Sequence, residues 1–174
     1  MIITPTDLKD LYVIKREPRT DERGFFVRVF AKEELAKMGI DFDIVHINQA
    51  LSVQKGTLRG LHSQLAPKQE IKFIHCIKGK VFDVAVDMRE DSPTYQKWFG
   101  VELSEDNNTM ICIPKGFAHG YQSLTDNSVL EYLVSEYYAP EYEKGFRWND
   151  PKLDITWPVA NPILSPKDQN WPLL

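Results

Sequence analysis

The sequence predicts an all-β fold, and three observations predict it. Short apolar runs of roughly strand length recur along the 174 residues, separated by glycine, proline, asparagine and aspartate. One run, Lys80 to Asp87, alternates strictly, with Phe82, Val84 and Val86 pointing one way and Val81, Asp83, Ala85 and Asp87 the other. Only one segment, near the start, is built of strong helix formers. Many short strands with regular turn signals lead to a sandwich or a jelly roll with a short N-terminal helix and an irregular C-terminal tail. The expected organisation is one domain, residues 1–174, with the tail wrapped around it.

The helix is Ala31-Lys32-Glu33-Glu34-Leu35-Ala36-Lys37-Met38, stopped by Gly39, which suits the left-handed turn after a last helical residue. Residues 71–77 and 80–87 read as two strands joined by a tight turn at Lys78-Gly79. Thr109 to Ile113 is a further strand, ended by Pro114. Val129 to Tyr138 is a longer one, with Leu130, Tyr132 and Val134 on one face. Beyond Pro140 the chain is rich in proline and tryptophan, including Trp148, Trp157 and Ser165-Pro166-Lys167-Asp168. Such a composition predicts no regular sheet or helix, but its tryptophans need burial, so the tail is expected to wrap the body.

Composition narrows the function. Hydrophobic residues at 43% and charged residues at 26% describe an ordinary globular chain. A net charge of −4, without a lysine or arginine run, argues against nucleic acid as partner. The N-terminus lacks the basic and apolar blocks of a signal peptide, and no apolar run approaches the roughly 18 residues that span a membrane. The expectation is a cytoplasmic chain with no membrane partner. Cys76 and Cys112 both fall inside apolar runs and are expected as reduced core residues. No C-x-x-C pair or H-x-H triplet occurs, so no metal site is spelled out.

Two segments carry candidate chemistry. In Leu58-Arg59-Gly60-Leu61-His62, a histidine able to act as general base stands near an arginine able to hold an anion. In Pro114-Lys115-Gly116-Phe117-Ala118-His119-Gly120, two glycines flank an aromatic residue and a histidine, as in a turn that brings backbone close to a neighbour. Asp83 shares its strand face with Val81 and Ala85; a carboxylate buried there needs a partner, and a histidine would serve. Lys72 and Tyr132 sit mid-strand among apolar residues. Taken singly, each of these has a structural alternative: a satisfied histidine, a turn, an edge lysine or a core tyrosine.

Together the segments resemble a known family. Asp21-Glu22-Arg23-Gly24-Phe25-Phe26, the arginine-glycine-leucine-histidine segment, Lys72, Val81 to Asp87, Ser92-Pro93-Thr94, the glycine-phenylalanine-alanine-histidine-glycine segment, Trp148-Asn149-Asp150-Pro151 and Ser165 to Asp168 occur in the order found in dTDP-4-dehydrorhamnose 3,5-epimerases. The resemblance implies a cupin-type jelly roll, a homodimer, a nucleotide-diphosphate 4-keto-6-deoxyhexose as substrate, and no metal or organic cofactor. By matching position it makes His62 the catalytic base with Asp168 as its carboxylate, Tyr132 the acid on the opposite face of the sugar, and Lys72 the cation for the enolate oxygen. His119 and Asp83 become a second histidine–carboxylate pair. Arg59 becomes a substrate contact, and Arg23 with Phe26 reaches the neighbouring subunit's site.

Four positions depart from the family pattern: Arg28 where glutamate is usual, Ile47 to Ser52 in place of a glutamine–asparagine–serine pattern, Ser63 after the histidine, and Leu133 after the tyrosine. The first two lie where the family touches nucleotide and sugar. A single-centre epimerase, acting at C3 or C5 of a CDP- or other nucleotide-linked sugar, therefore stands as the alternative to a double epimerase.

Overall fold

The computed structural model describes residues 1–174. The chain opens with β1 (Ile2–Pro5) and β2 (Tyr12–Lys15), followed by a small hairpin, β3 (Arg19–Asp21) and β4 (Gly24–Phe26). A short helix, α1 (Lys32–Ala36), precedes β5 (His46–Ser52), β6 (Leu58–Gln64), β7 (Lys72–Lys78) and β8 (Lys80–Asp87). Then come β9 (Trp98–Ser104), β10 (Thr109–Ile113), β11 (Phe117–Ser123) and β12 (Ser128–Val134). The tail holds β13 (Glu143–Gly145) and a helical turn, α2 (Pro166–Gln169). No helix is long and apolar enough to cross a membrane.

Two antiparallel sheets face each other, ordered β1-β2-β10-β7-β12-β5 and β13-β6-β11-β8-β9. From β5 to β12 the chain changes sheet at every connection except β8 to β9, which pair directly. The resulting orders, β10-β7-β12-β5 facing β6-β11-β8-β9, are those of two interlocked Greek keys, a jelly roll. The turn at Gly79 therefore joins strands of opposite sheets and is a corner, not a hairpin. Gly79 has φ +71°, and a Cβ there would lie 2.9 Å from the Ser128 hydroxyl, so glycine is required.

The interior between the sheets is apolar, with Ile74, Ile111 and Leu130 meeting Val81, Ala85 and Leu103. The alternation of β8 is fully used, because both of its faces are covered. Phe82, Val84 and Val86 point outward and are roofed by Phe146, Leu153 and Trp157 of the tail. The outer face of the other sheet is covered by α1 through Leu35, with Phe30 edge-on to both Phe73 and Phe42. Cys76 and Cys112 are buried and unpaired.

Four sequence expectations need correction. The helix is shorter than residues 31–38, because the extended Ala31 caps it and the chain turns at Lys37. The strand around Tyr132 ends at Val134, since beyond Ser135 the chain leaves the sheet and exposes Tyr137 and Tyr138. Residues 72–78 form β7, one position later than expected at each end. The tail does contain regular structure: β13 adds to the edge of β6, and Ser165 caps α2 with Pro166 in its first turn.

Candidate active site

Two glycines bring the two histidine segments together. Gly60 on β6 has φ +127°, and a Cβ there would lie 2.5 Å from Gly120 Cα on β11. Only glycine at both positions allows this approach, beside a register shift between His119 and Tyr121. The pairing leaves His62 and His119 directly opposite each other on adjacent strands, both facing the barrel interior.

Each histidine meets a carboxylate. His62 Nε2 donates to Asp168 Oδ1 at 2.5 Å, bridging β6 and α2. The Ser165 hydroxyl donates to the other oxygen of Asp168 at 2.9 Å and accepts from its backbone N–H at 3.1 Å. Burial alone would raise the Asp168 carboxyl, but His62 and Ser165 outweigh it and hold the group below the usual carboxylate range. Because Nε2 is committed to this bond, Nδ1 of His62 is the nitrogen left to take a proton. His119 Nε2 donates to Asp83 Oδ2 at 2.9 Å. Asp83 is fully buried, and its second oxygen has no hydrogen-bond partner.

Lys72 and Tyr132 come from the facing sheet. Val134 pairs with Lys72 and Tyr132 with Ile74, so the two candidate side chains are diagonal neighbours on the inner face. Burial pushes the Tyr132 phenol up, and the Glu70 charge adds to that, against a smaller opposite pull from Arg59. Lys72 Nζ lies 3.0 Å from Glu70 Oε1.

These groups line a cavity of two lobes, about 510 and about 420 Å³, which share His62, Lys72 and Tyr132. Arg59, His119, Lys167 and Asp168 belong to the first lobe. Glu70, Glu136, Tyr138 and Glu143 belong to the second. Arg59 makes no ion pair and is tied by Nη2 to the Leu51 carbonyl at 2.9 Å. Lys167 reaches across to Glu143 at 2.6 Å. Trp171 packs edge-on to His62, with centroids 6.1 Å apart, and a Cβ at Gly145 would fall inside its indole.

The structure thus gathers His62, Asp168, Lys72, Tyr132, His119 and Arg59 at one cavity, with Asp83 behind His119. It does not bring Arg23 and Phe26 there. Both lie on the β3–β4 hairpin, where Arg23 pairs with Asp21 and lines a separate surface hollow. Sequence reasoning missed Glu70, Tyr121, Lys167 and Trp171. For Glu70 a signal existed, since it stands two residues before Lys72 and spacing by two places side chains on one face of extended chain.

Two histidine–carboxylate pairs thus stand on one wall of the cavity, with a lysine and a tyrosine on the other. A family model described as dTDP-4-dehydrorhamnose 3,5-epimerase matches residues 5–174. A dTDP-4-dehydrorhamnose 3,5-epimerase of Methanothermobacter thermautotrophicus is 43% identical, over 95% of this chain and 90% of that protein. The crystal structure of the Bacillus anthracis 3,5-epimerase with TDP and PPi bound is 41% identical with a TM-score of 0.96, covering 99% of each chain. That of a Legionella pneumophila 3,5-epimerase in complex with dTDP-4-keto-L-rhamnose is 41% identical with a TM-score of 0.93, covering 99% of this chain and 92% of that one. The chain belongs to the dTDP-4-dehydrorhamnose 3,5-epimerase family, and it is an epimerase.

Proposed function

We propose that this epimerase inverts C3 and C5 of dTDP-4-dehydro-6-deoxy-D-glucose to give dTDP-4-dehydro-L-rhamnose, without metal or organic cofactor. One observation carries the mechanism: His62 and Tyr132 face each other from opposite sheets across a shared cavity. The C4 ketone acidifies the protons on C3 and C5, but such carbon acids stay weak. His62 removes the proton, and Asp168 stabilises the imidazolium that forms. Lys72 donates to the developing enolate oxygen, a contact worth about 3 kcal/mol in a water-poor site. Tyr132 returns a proton from the other face, which inverts the centre. His119 and Asp83 form a second polar pair beside the sugar, and Arg59 takes the diphosphate.

We propose further that the enzyme works in the cytoplasm as a homodimer, each chain a single domain of residues 1–174. Arg23 and Phe26 then complete the partner's site, with arginine on the diphosphate and phenylalanine under the base. Support comes from the hairpin, where Phe25 and Phe26 are 70% and 63% exposed, and from Ile47 and Leu51 exposed along the sheet-edge strand β5, with Val53 exposed just beyond it. Unpaired buried cysteines suit a reducing compartment.

The test is incubation with dTDP-4-keto-6-deoxyglucose in deuterium oxide, followed by NMR. Deuterium at both C3 and C5 with the L-rhamno product is expected. Label at one centre alone would make the enzyme a single-centre epimerase, and label at neither would remove the proposal. The CDP-linked analogue in parallel tests Arg28, which lies beside Phe26 in the hollow lined by Glu17 and Glu34.

A further inference from the structure

We infer that Glu70 is a positioning residue of this reaction, holding the Lys72 ammonium in place and keeping a negative charge beside Tyr132; the inference rests on the function proposed above. Three observations carry it. Glu70 Oε1 is 3.0 Å from Lys72 Nζ, and the two side chains are only 13% and 15% exposed. Both line the lobe that contains Tyr132. The other carboxylates around that lobe are occupied elsewhere, Glu136 by Lys68 at 3.3 Å and Glu143 by Lys167 at 2.6 Å. Of the lobe's histidines, His62 is held by Asp168, and His46 lies edge-on to Tyr137. From the adjoining lobe, Arg59 and the His119–Asp83 pair face the same space.

The chemistry asks two things of this wall. Lys72 must present its ammonium at one place in a partly buried wall, where a charge without a partner is costly. Glu70 gives it that partner, occupies one of its three N–H donors and leaves the others for the substrate oxygen. Tyr132 must remain a phenol until it gives its proton, and a neighbouring negative charge favours the neutral phenol, as the upward displacement of Tyr132 by burial and then by Glu70 shows. Glu70 therefore holds the Lys72 ammonium in place and favours the protonated form of Tyr132.

The test is the pH dependence of epimerisation and of deuterium exchange in wild type, Glu70→Gln and Glu70→Asp, with folding followed by circular dichroism. Losing the charge should move the alkaline limb of kcat to lower pH, with KM within about threefold of wild type. The Glu70→Asp limb should fall between the two, because its carboxylate is withdrawn by one methylene. If Glu70→Gln does not fold, the displacement in Glu70→Asp decides alone. An alkaline limb at the wild-type pH in the folded variants overturns the inference, even if kcat falls. A wild-type enzyme that exchanges no deuterium defeats the proposed function instead, so the two failures are distinct.

Discussion

Replacing Asp168 by asparagine tests the central pair most sharply. The side chain is 5% exposed and accepts from His62 Nε2 at 2.5 Å and from the Ser165 hydroxyl at 2.9 Å. Asparagine keeps the shape and removes the charge. The variant loses the extra strength of a hydrogen bond to a charged group, about 2 to 3 kcal/mol, when His62 becomes an imidazolium. At 1.36 kcal/mol per decade, kcat should fall about 30- to 160-fold. If the amide turns its NH2 toward the ring, Nε2 must accept instead of donate. Nδ1 then carries the proton, and the loss deepens toward that of removing the base. The assay is initial-rate deuterium exchange at C3 and C5 by NMR under substrate saturation, with circular dichroism to verify the fold. A kcat within about threefold of wild type, in a folded protein, would refute the role of Asp168.

Tyr132→Phe leaves base and oxyanion cation in place, so it should still exchange deuterium into at least one centre while forming little inverted product. Equal loss of exchange and inversion, compared by NMR, would make Tyr132 a positioning group. Arg23→Ala and His62→Asn should each be impaired, but mixed subunits should recover activity, because one hybrid site then holds both intact residues; no recovery despite proven subunit exchange counts against the shared site. Asp87 governs acid stability: burial alone would raise it, yet Arg89, Ser92 and Thr94 bring it from 3.8 to about 2. Its contribution, on the order of 2 kcal/mol, is complete above about pH 4 and lost as pH falls toward 2, so urea midpoints of wild type should drop more steeply across that window than those of Asp87→Asn.

What the sequence made legible follows physical period and residue type. The alternation of residues 80–87 correctly divided an inner face from an outer one, and the buried Asp83 found the histidine partner its burial required. Cysteines inside apolar runs were core residues. Other features depend on contacts distant in sequence. Nothing local says that Gly79 turns between sheets, because hairpins and corners use the same glycine. Ser92 and Thr94, part of the resemblance, prove to donate to Asp87 at 2.6 and 2.7 Å and so brace a loop. Asp150 likewise accepts from the Leu174 backbone at 2.6 Å and pins the chain end. The tail helix does not stand out in the sequence, because proline breaks helices in their interior, yet after a capping serine it is a favourable first helical residue.

The site also explains why the end of the chain matters to its middle. His62 and Asp168 are 106 residues apart, and the second reaches the first only if the tail is seated. The seat is built in three places. Gly145 pairs with His62 on the sheet edge and lacks the side chain that would displace Trp171. Lys167 spans to Glu143 on the same strand. Ser165 caps the helical turn and at the same time aims the carboxylate. In the proposed mechanism the base is therefore competent only in a chain whose tail is seated on the five-stranded sheet. The opposite wall, with Lys72 and Tyr132, is complete within the barrel itself. Under that mechanism, a site divided in this way puts proton removal under the control of the tail and proton return under the control of the barrel. Inversion requires those two steps to act from different sides, and the jelly roll separates them by the width of its interior.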